Sequence, residues 1–429
     1  MFRKFLGIIR TSSFLRHNVV SLFGAVAVGV LNYAYYPILG RLLDVEAYGE
    51  VQALVSLFLQ MTIFLIVLSQ VTVNVVANYE DEAQKNRVVY ELEKVALLLS
   101  LVLLMIVMAF GWKLRSFFQF TSVWPFIILM IALVASVPLT FRSAFLRGHK
   151  KFGAVSIANL IGAAGKIAFS TFLVWLGWST GGAVLGIVIA QFLAFGYAAY
   201  CALKLGFTRP ENVKFWSWPQ WKVLQPEAKY GLFVLCGSLT VTVLSSVDIF
   251  VVKHFFDAET AGRYAGVSTV ARMIYFLTAS VAQVLLPSVR IHQPAKQNRQ
   301  FLLKSFALVG VLGGLATLVF AIFEDQIISM LMGKDYLTFA HLLGPLSLAM
   351  FIISILNLII SYYIALRRYQ ISVIVLLGAA TTGCLLSVSH NSLDAIVNSL
   401  LLGSTSMLGM FVFWRLIFAL KKRKSNAKS

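Results

Sequence analysis

Charge is scarce in this chain. Asp, Glu, Lys and Arg make up 12% of its 429 residues, about half of the roughly 25% usual in a soluble domain. Acids are the scarcer sign: 17 Asp plus Glu stand against 36 Lys plus Arg, a net charge of +19. Cysteine is nearly absent. Cys201, Cys236 and Cys384 lie singly in apolar runs without CxxC or CxxH spacing, so no disulfide framework or metal site follows. The histidines (His17, His149, His254, His292, His341, His390) are isolated at the ends of apolar runs and read as interface residues. The acidic pairs Asp81-Glu82 and Glu324-Asp325 stand in short gaps, and neither belongs to an Asp-rich motif of the kind a metal-dependent sugar-phosphate transferase needs. Gly162-Ala163-Ala164-Gly165-Lys166 resembles a phosphate loop only superficially, since position 160 is Leu and Ile167 stands where Ser or Thr is required. No catalytic residue, metal or cofactor is indicated, and the chain does not read as an enzyme.

What fills the sequence instead is apolar. The residues AVILMFWYC make up 59%, against roughly 45–50% in a soluble domain even with Gly counted. One water-facing globule could not bury so many, so the chain belongs in a bilayer. A helix needs about 20 apolar residues to cross a hydrocarbon core of about 30 Å. Twelve runs qualify: 18–40, 49–78, 89–112, 119–146, 153–177, 180–205, 229–256, 262–289, 301–323, 337–366, 370–389 and 394–420. The expected fold is therefore all-α, with twelve transmembrane helices and both termini on one side. The bases sit in short gaps rather than on a polar domain, which argues against nucleic acid and for membrane orientation. The termini and the gaps on their side hold 25 Lys and Arg, while the opposite gaps hold six (Arg41, Lys113, Arg115, Lys253, Arg263, Lys334). This asymmetry places both termini in the cytoplasm. The N-terminal stretch MFRKFLGIIRTSSFLRHN has neither a long apolar core nor a small-residue cleavage site, and reads as a retained lead-in.

Only one gap is long. Residues 206–228 carry Trp216, Trp218 and Trp221 among Pro210, Pro219 and Pro226, as headgroup-level anchors do. The segment reads as a cytoplasmic interfacial linker between an N-terminal lobe (1–205) and a C-terminal lobe (229–429). An internal repeat supports the split. Leu42-Leu43-Asp44-Val45-Glu46-Ala47-Tyr48-Gly49 matches Phe255-Phe256-Asp257-Ala258-Glu259-Thr260-Ala261-Gly262 at an offset of 213, with Asp, Glu and Gly coinciding. Gln84-Lys85-Asn86-Arg87 faces Lys296-Gln297-Asn298-Arg299 at 212, and Leu146-Arg147 faces Leu366-Arg367 at 220. Three matches in order at near-constant offset argue for duplication. Six spans per unit is even, so the halves share orientation and are expected to relate by a pseudo-twofold axis along the membrane normal. Two lobes flanking a cleft is a transporter layout.

Charge inside the spans marks candidate function, because each such group costs about 2.5–3.5 kcal/mol or more at the bilayer centre. Lys94, Arg142 and Arg415 lie within roughly 10 Å of a cytoplasmic end and could snorkel to the headgroups. Lys166 lies roughly 20 Å deep, while Arg272 and Asp248 lie roughly 15 Å and 12 Å below the outer end. Asp248 and Arg272, at matching depth on consecutive spans, read either as a structural ion pair or as cavity residues. Lys166 has no evident counter-charge and reads as a cavity cation suited to an anionic passenger, phosphate being the common anionic handle on membrane lipids.

Several stretches resemble one family. Ser246-Val247-Asp248-Ile249-Phe250-Val251-Val252-Lys253-His254-Phe255-Phe256, followed by Glu259 and Gly262-Arg263-Tyr264-Ala265, is similar to the seventh-span region of bacterial polysaccharide flippases, in the multidrug/oligosaccharidyl-lipid/polysaccharide exporter superfamily. Gly40-Arg41-Leu42-Leu43 with Tyr48-Gly49, Leu146-Arg147-Gly148 with Phe152-Gly153, and Gly182-Ala183-Val184-Leu185-Gly186 look like first-half signatures of the same family. The resemblance implies alternating access and movement of a polyprenyl-diphosphate-linked oligosaccharide from the inner to the outer leaflet of the bacterial plasma membrane. It also implies polysaccharide-assembly proteins as partners, and substrate contacts from basic cavity residues: Lys166 and Arg272, with Asp248 and Arg142. Drug-exporting relatives instead favour cationic passengers and often use an acid in the first span, where this chain has Asn32. An ion-coupled drug or cation exporter is the alternative reading. A membrane-embedded glycan polymerase or ligase is disfavoured by outer gaps of only about 5–15 residues.

Overall fold

The computed structural model describes residues 13–78, 81–208, 221–289, 294–366, 368 and 371–426, and every regular element among them is helical. The lead-in through residue 12, most of the 206–228 linker with Trp216 and Trp218, His292, Arg290 and Arg367 lie outside the described residues. The chain divides into two compact units, Met1–Gly231 and Leu232–Ser429. Eight segments among the described residues are long and apolar enough to cross a membrane, or nine if one bent pair counts as a single span.

The first unit contains α1 (Ser13–Leu42), α2 (Val45–Met61), α3 (Ile63–Asn78), α4 (Glu82–Phe117), α5 (Trp124–Gly148), α6 (Phe152–Leu173) and α7 (Ser179–Leu203). Within the run expected at 49–78 the helix is locally irregular at Thr62, whose hydroxyl donates to the Leu59 carbonyl at 3.0 Å, a side-chain bond that competes with the helix ladder, while Val45–Val73 remains one candidate span. The 52 residues of Phe152–Leu203 form a helical hairpin. A Cβ placed on Gly162 would lie 3.6 Å from Ala194, one on Gly165 3.2 Å from Ala190, and one on Gly186 2.3 Å from the Ser170 nitrogen. As one partner number rises the other falls, so α6 and α7 run antiparallel. The reversal falls where Gly177 takes φ 88° and Ser179 φ 42°, a left-handed region that glycine enters freely and serine rarely. Small residues along the seam let the two backbones approach closely.

The second unit takes the end of α8 (Trp221–Leu244), then α9 (Val247–Phe255), α10 (Ala258–Ser288), α11 (Ala295–Ile322), α12 (Glu324–Leu331), a 3₁₀ turn over Lys334–Leu342, α13 (Leu343–Ala365), α14 (Ile371–Val388) and α15 (Leu393–Asn426). The run expected as one span at 229–256 bends by 47° between Leu244 and Val247. Ser245 and Ser246 both turn their hydroxyls onto the Thr242 carbonyl at 2.8 Å, which draws the acceptor away from the ladder.

The sequence repeat has structural counterparts. Asp44 and Asp257 are both helix N-caps, of α2 and α10. The Thr260 backbone N–H donates to Asp257 at 2.9 Å and, with the Thr260 side chain, holds its carboxyl below the usual carboxylate range. Asn86 and Asn298 are both buried in the first turns of their helices. Asn86 donates to the Gly206 carbonyl at 3.2 Å, tying the chain beyond α7 to the start of α4.

Candidate functional site

Lys166 sits on α6 between glycine-bearing turns, and α1 supplies what surrounds its head. Asn32, Tyr35 and Tyr36 share one face of α1 by their three- and four-residue spacing. Lys166 Nζ donates to Asn32 Oδ1 at 2.8 Å, 4.2 Å from the Tyr35 ring centroid and 5.8 Å from that of Tyr36. The structure thus supplies partners for the lysine that the sequence did not reveal, but all are neutral. An amide oxygen and two π faces attract an ammonium without cancelling its charge. Lys166 is half-buried, and none of these partners carries a counter-charge.

Arg142 and Lys94 differ from the snorkelling reading. Arg142 Nη1 donates to Glu93 at 2.8 Å, with its guanidinium 4.1 Å from the Phe207 ring centroid. Lys94 donates to Glu91 at 3.2 Å, and both are buried. The reason is the length of α4: it starts at Glu82, so Glu91 and Glu93 fall on its third and fourth turns rather than in the mouth of a loop. A carboxylate at that depth is the nearer solution for each base.

Asp248 lies in the first turn of α9, just past the serine break, where the positive end of a helix dipole favours a carboxylate. It is fully buried. Three residues of α10 reach it, spaced by four so that they share one face: Tyr264 Oη donates to Oδ2 at 2.9 Å, Ser268 Oγ to Oδ2 at 2.6 Å and Arg272 Nη2 to Oδ1 at 2.7 Å. The two residues expected at matching depth form an ion pair inside the second unit. Arg272 Nε remains buried without a hydrogen-bond partner. Sequence reasoning passed over Tyr264 and Ser268, although the Tyr-x3-Ser-x3-Arg spacing after an intramembrane Asp was a usable signal.

Glu50 was also missed. Only 2% exposed, it accepts from the Thr121 backbone N–H at 2.6 Å, the Thr121 hydroxyl at 3.2 Å and the Thr180 hydroxyl at 2.9 Å. It ties the first turns of α2 to the α4–α5 connection and the start of α7. The matching position of the repeat carries a base that is only partly buried. At offset 213 stands Arg263, which bonds Glu259 and donates to Thr338 at 3.2 Å, on the 3₁₀ turn before α13. Nothing in either copy's linear sequence marks a threonine loop as the partner.

No group of three or more His, Cys, Asp or Glu that could hold a metal ion is present among the described residues. The four residues named from the sequence fall into three groups: Lys166 with neutral partners, Arg142 with Glu93, and Asp248 with Arg272. All four lie within residues 15–292, which match the family model described as polysaccharide biosynthesis protein. The chain belongs to the polysaccharide biosynthesis protein family. No curated protein sequence matches it. Among solved structures, this polysaccharide biosynthesis protein is similar to an inward-facing multidrug resistance MATE family transporter of the MOP superfamily, at TM-score 0.68 and 14% identity over 92% of this chain and 96% of that one. It is similar to the lipid II flippase MurJ in an inward closed conformation, at TM-score 0.68 and 14% identity over 95% and 87%. A eukaryotic MATE transporter gives 0.67 and 15% over 94% and 96%. At these identities the likeness is one of fold. These neighbours are membrane transporters and a flippase.

Proposed function

We propose that this family member is an alternating-access flippase with twelve spans in two six-span halves and cytoplasmic termini. It moves a polyprenyl-diphosphate-linked oligosaccharide from the cytoplasmic to the outer leaflet of the bacterial plasma membrane for cell-surface polysaccharide synthesis. The observation that carries this reading is Lys166: a cation deep in α6 whose partners, Asn32, Tyr35 and Tyr36, leave its charge uncancelled. A diphosphate is the complementary group, and a mobile ammonium can release what it binds. Arg142, Asp248 and Arg272 are already paired, so they would meet the passenger only as members of those pairs. Multidrug exporters share the fold, but a cation beside Asn32 opposes a cationic passenger.

The test is a flipping assay on the purified chain in liposomes, with a panel of fluorescent polyprenyl-diphosphate oligosaccharides. Lys166→Ala, at equal protein, is expected to slow flipping about tenfold or more, as loss of one charge-assisted hydrogen bond of about 1.5–3 kcal/mol implies. Lys166→Arg should retain part of the rate. Unchanged flipping by Lys166→Ala, or transport of organic cations in place of lipid-linked glycans, would overturn the reading.

A further inference from the structure

A second cation in the first unit has the same peculiarity as Lys166. Arg147, half-buried in the last turn of α5, donates from Nη2 to the Ser69 hydroxyl at 2.7 Å and from Nε to the Ser143 carbonyl at 3.4 Å. Both partners are neutral, and among the described residues no carboxylate meets it. Its neighbours on the helices are treated differently: Arg142 and Lys94 each have a glutamate.

Arg147 is also held in place. A Cβ on Gly148 would lie 2.5 Å from Val76 and 3.3 Å from the Val73 carbonyl oxygen, so the backbone beside it is pressed against α3. Ser69, on α3 and only 3% exposed, holds one corner of the guanidinium. Of the five N–H donors of an arginine, two are used and three remain, including both on Nη1. A planar fork fixed at one corner with its other edge unspent is suited to two oxygens of one phosphate.

The position matters for the passenger. Arg147 lies at the end of α5 that the basic asymmetry assigns to the cytoplasm, five residues before α6 begins, with exposed Lys150 and Lys151 between. Lys166 lies fourteen residues beyond Phe152 on α6, roughly 20 Å further along the helix. We infer that Arg147 is a phosphate-ester site that captures the passenger's diphosphate at the cytoplasmic end of the first unit, before Lys166 takes it at depth. This rests on the flippase reading. A rigid fork binds in the leaflet where capture is wanted, and a single mobile ammonium holds more weakly in transit. Ser69 acts through Arg147 as a positioning residue.

Binding to the full-length chain in phosphatidylcholine nanodiscs tests this, with a short polyprenyl diphosphate as one probe and phosphatidylglycerol as the other. Arg147→Gln should weaken the diphosphate at least about tenfold. Arg147→Lys, which keeps charge but loses the fork, should weaken it several-fold, and Ser69→Ala should fall between wild type and Arg147→Lys. In the wild-type chain, hydrogen exchange of the segment 143–149 should slow when the diphosphate is added, a readout that does not depend on any variant folding. Unchanged exchange there, or wild-type affinity in Arg147→Lys, overturns the site. Loss of phosphatidylglycerol binding alone in Arg147→Gln, with the diphosphate unaffected, also overturns it and makes Arg147 a bilayer headgroup anchor. Because this measures binding, it separates from the flipping assay: a chain that fails to flip any glycan but shows the Arg147-dependent diphosphate site has lost the function and kept the site.

Discussion

Asp248 shows what a single residue can and cannot announce. An acid in an apolar run is expensive, so its need for a partner is visible without coordinates, and Arg272 at matching depth is the obvious candidate. What the sequence hides is that Tyr264 and Ser268 both donate to Oδ2, so the carboxylate has three donors and the ion pair is part of a network. Removing one partner of a buried pair typically costs about 3–5 kcal/mol, because the other charge is left uncompensated. Asp248→Asn and Arg272→Gln should each lower the yield of folded protein in the membrane, and the double variant should recover part of the loss. Strictly additive losses would show that the pair contributes nothing as a pair. Glu50 is the opposite case. Standing at the edge of its run it looks like an ordinary terminal acid, and only the approach of Thr121 and Thr180 reveals it as buried and fully bonded.

At the scale of elements, the α6–α7 hairpin depends on what its glycines touch. Gly186 and Gly196 lie on the same helix, yet a Cβ on Gly186 would meet the Ser170 backbone nitrogen at 2.3 Å while one on Gly196 meets nothing within 4 Å. Gly186→Ala should therefore force the two helices apart and cost about 1–3 kcal/mol or more. Gly196→Ala should be neutral or stabilising by up to about 1 kcal/mol, since alanine is the better helix former. Thermal unfolding of both variants in detergent checks this; equal behaviour would mean the seam is not closely packed. The irregularities in the spans belong to this scale too. Thr62 and the Ser245-Ser246 pair fall inside the runs 49–78 and 229–256, and hydropathy alone cannot register that their hydroxyls compete for helix carbonyls.

For the whole molecule, orientation is the property most directly testable. The proposed orientation rests on the excess of 25 bases over six on the side of the termini, the pattern expected of cytoplasmic termini and a cytoplasmic 206–228 segment. Reporter fusions after Ser429 and within 206–228 should both read cytoplasmic, and an external signal at either position would break the twelve-span arrangement. The expected duplication belongs to this scale as well. The N-cap aspartates Asp44 and Asp257 and the buried asparagines Asn86 and Asn298 recur in both units, while the buried Glu50 has the partly exposed Arg263 at its matching position.

The sequence by itself determined the solvent of this protein and the class of its fold, because those depend on sums: 59% apolar residues, run lengths set by bilayer thickness, and a charge asymmetry counted over many gaps. Family membership was legible in short local motifs, which need no tertiary contact to be read. Partnership was decided only in three dimensions. Lys94 finds its glutamate three residues away, but the other bases meet residues far away in the chain: 49 positions for Arg142 with Glu93, 134 for Lys166 with Asn32 and 78 for Arg147 with Ser69. Depth along a helix follows from counting residues at a fixed rise. The identity of the group across the interface follows from how the helices pack, and that difference separates Arg142, paired with a carboxylate, from Lys166 and Arg147, whose partners are neutral.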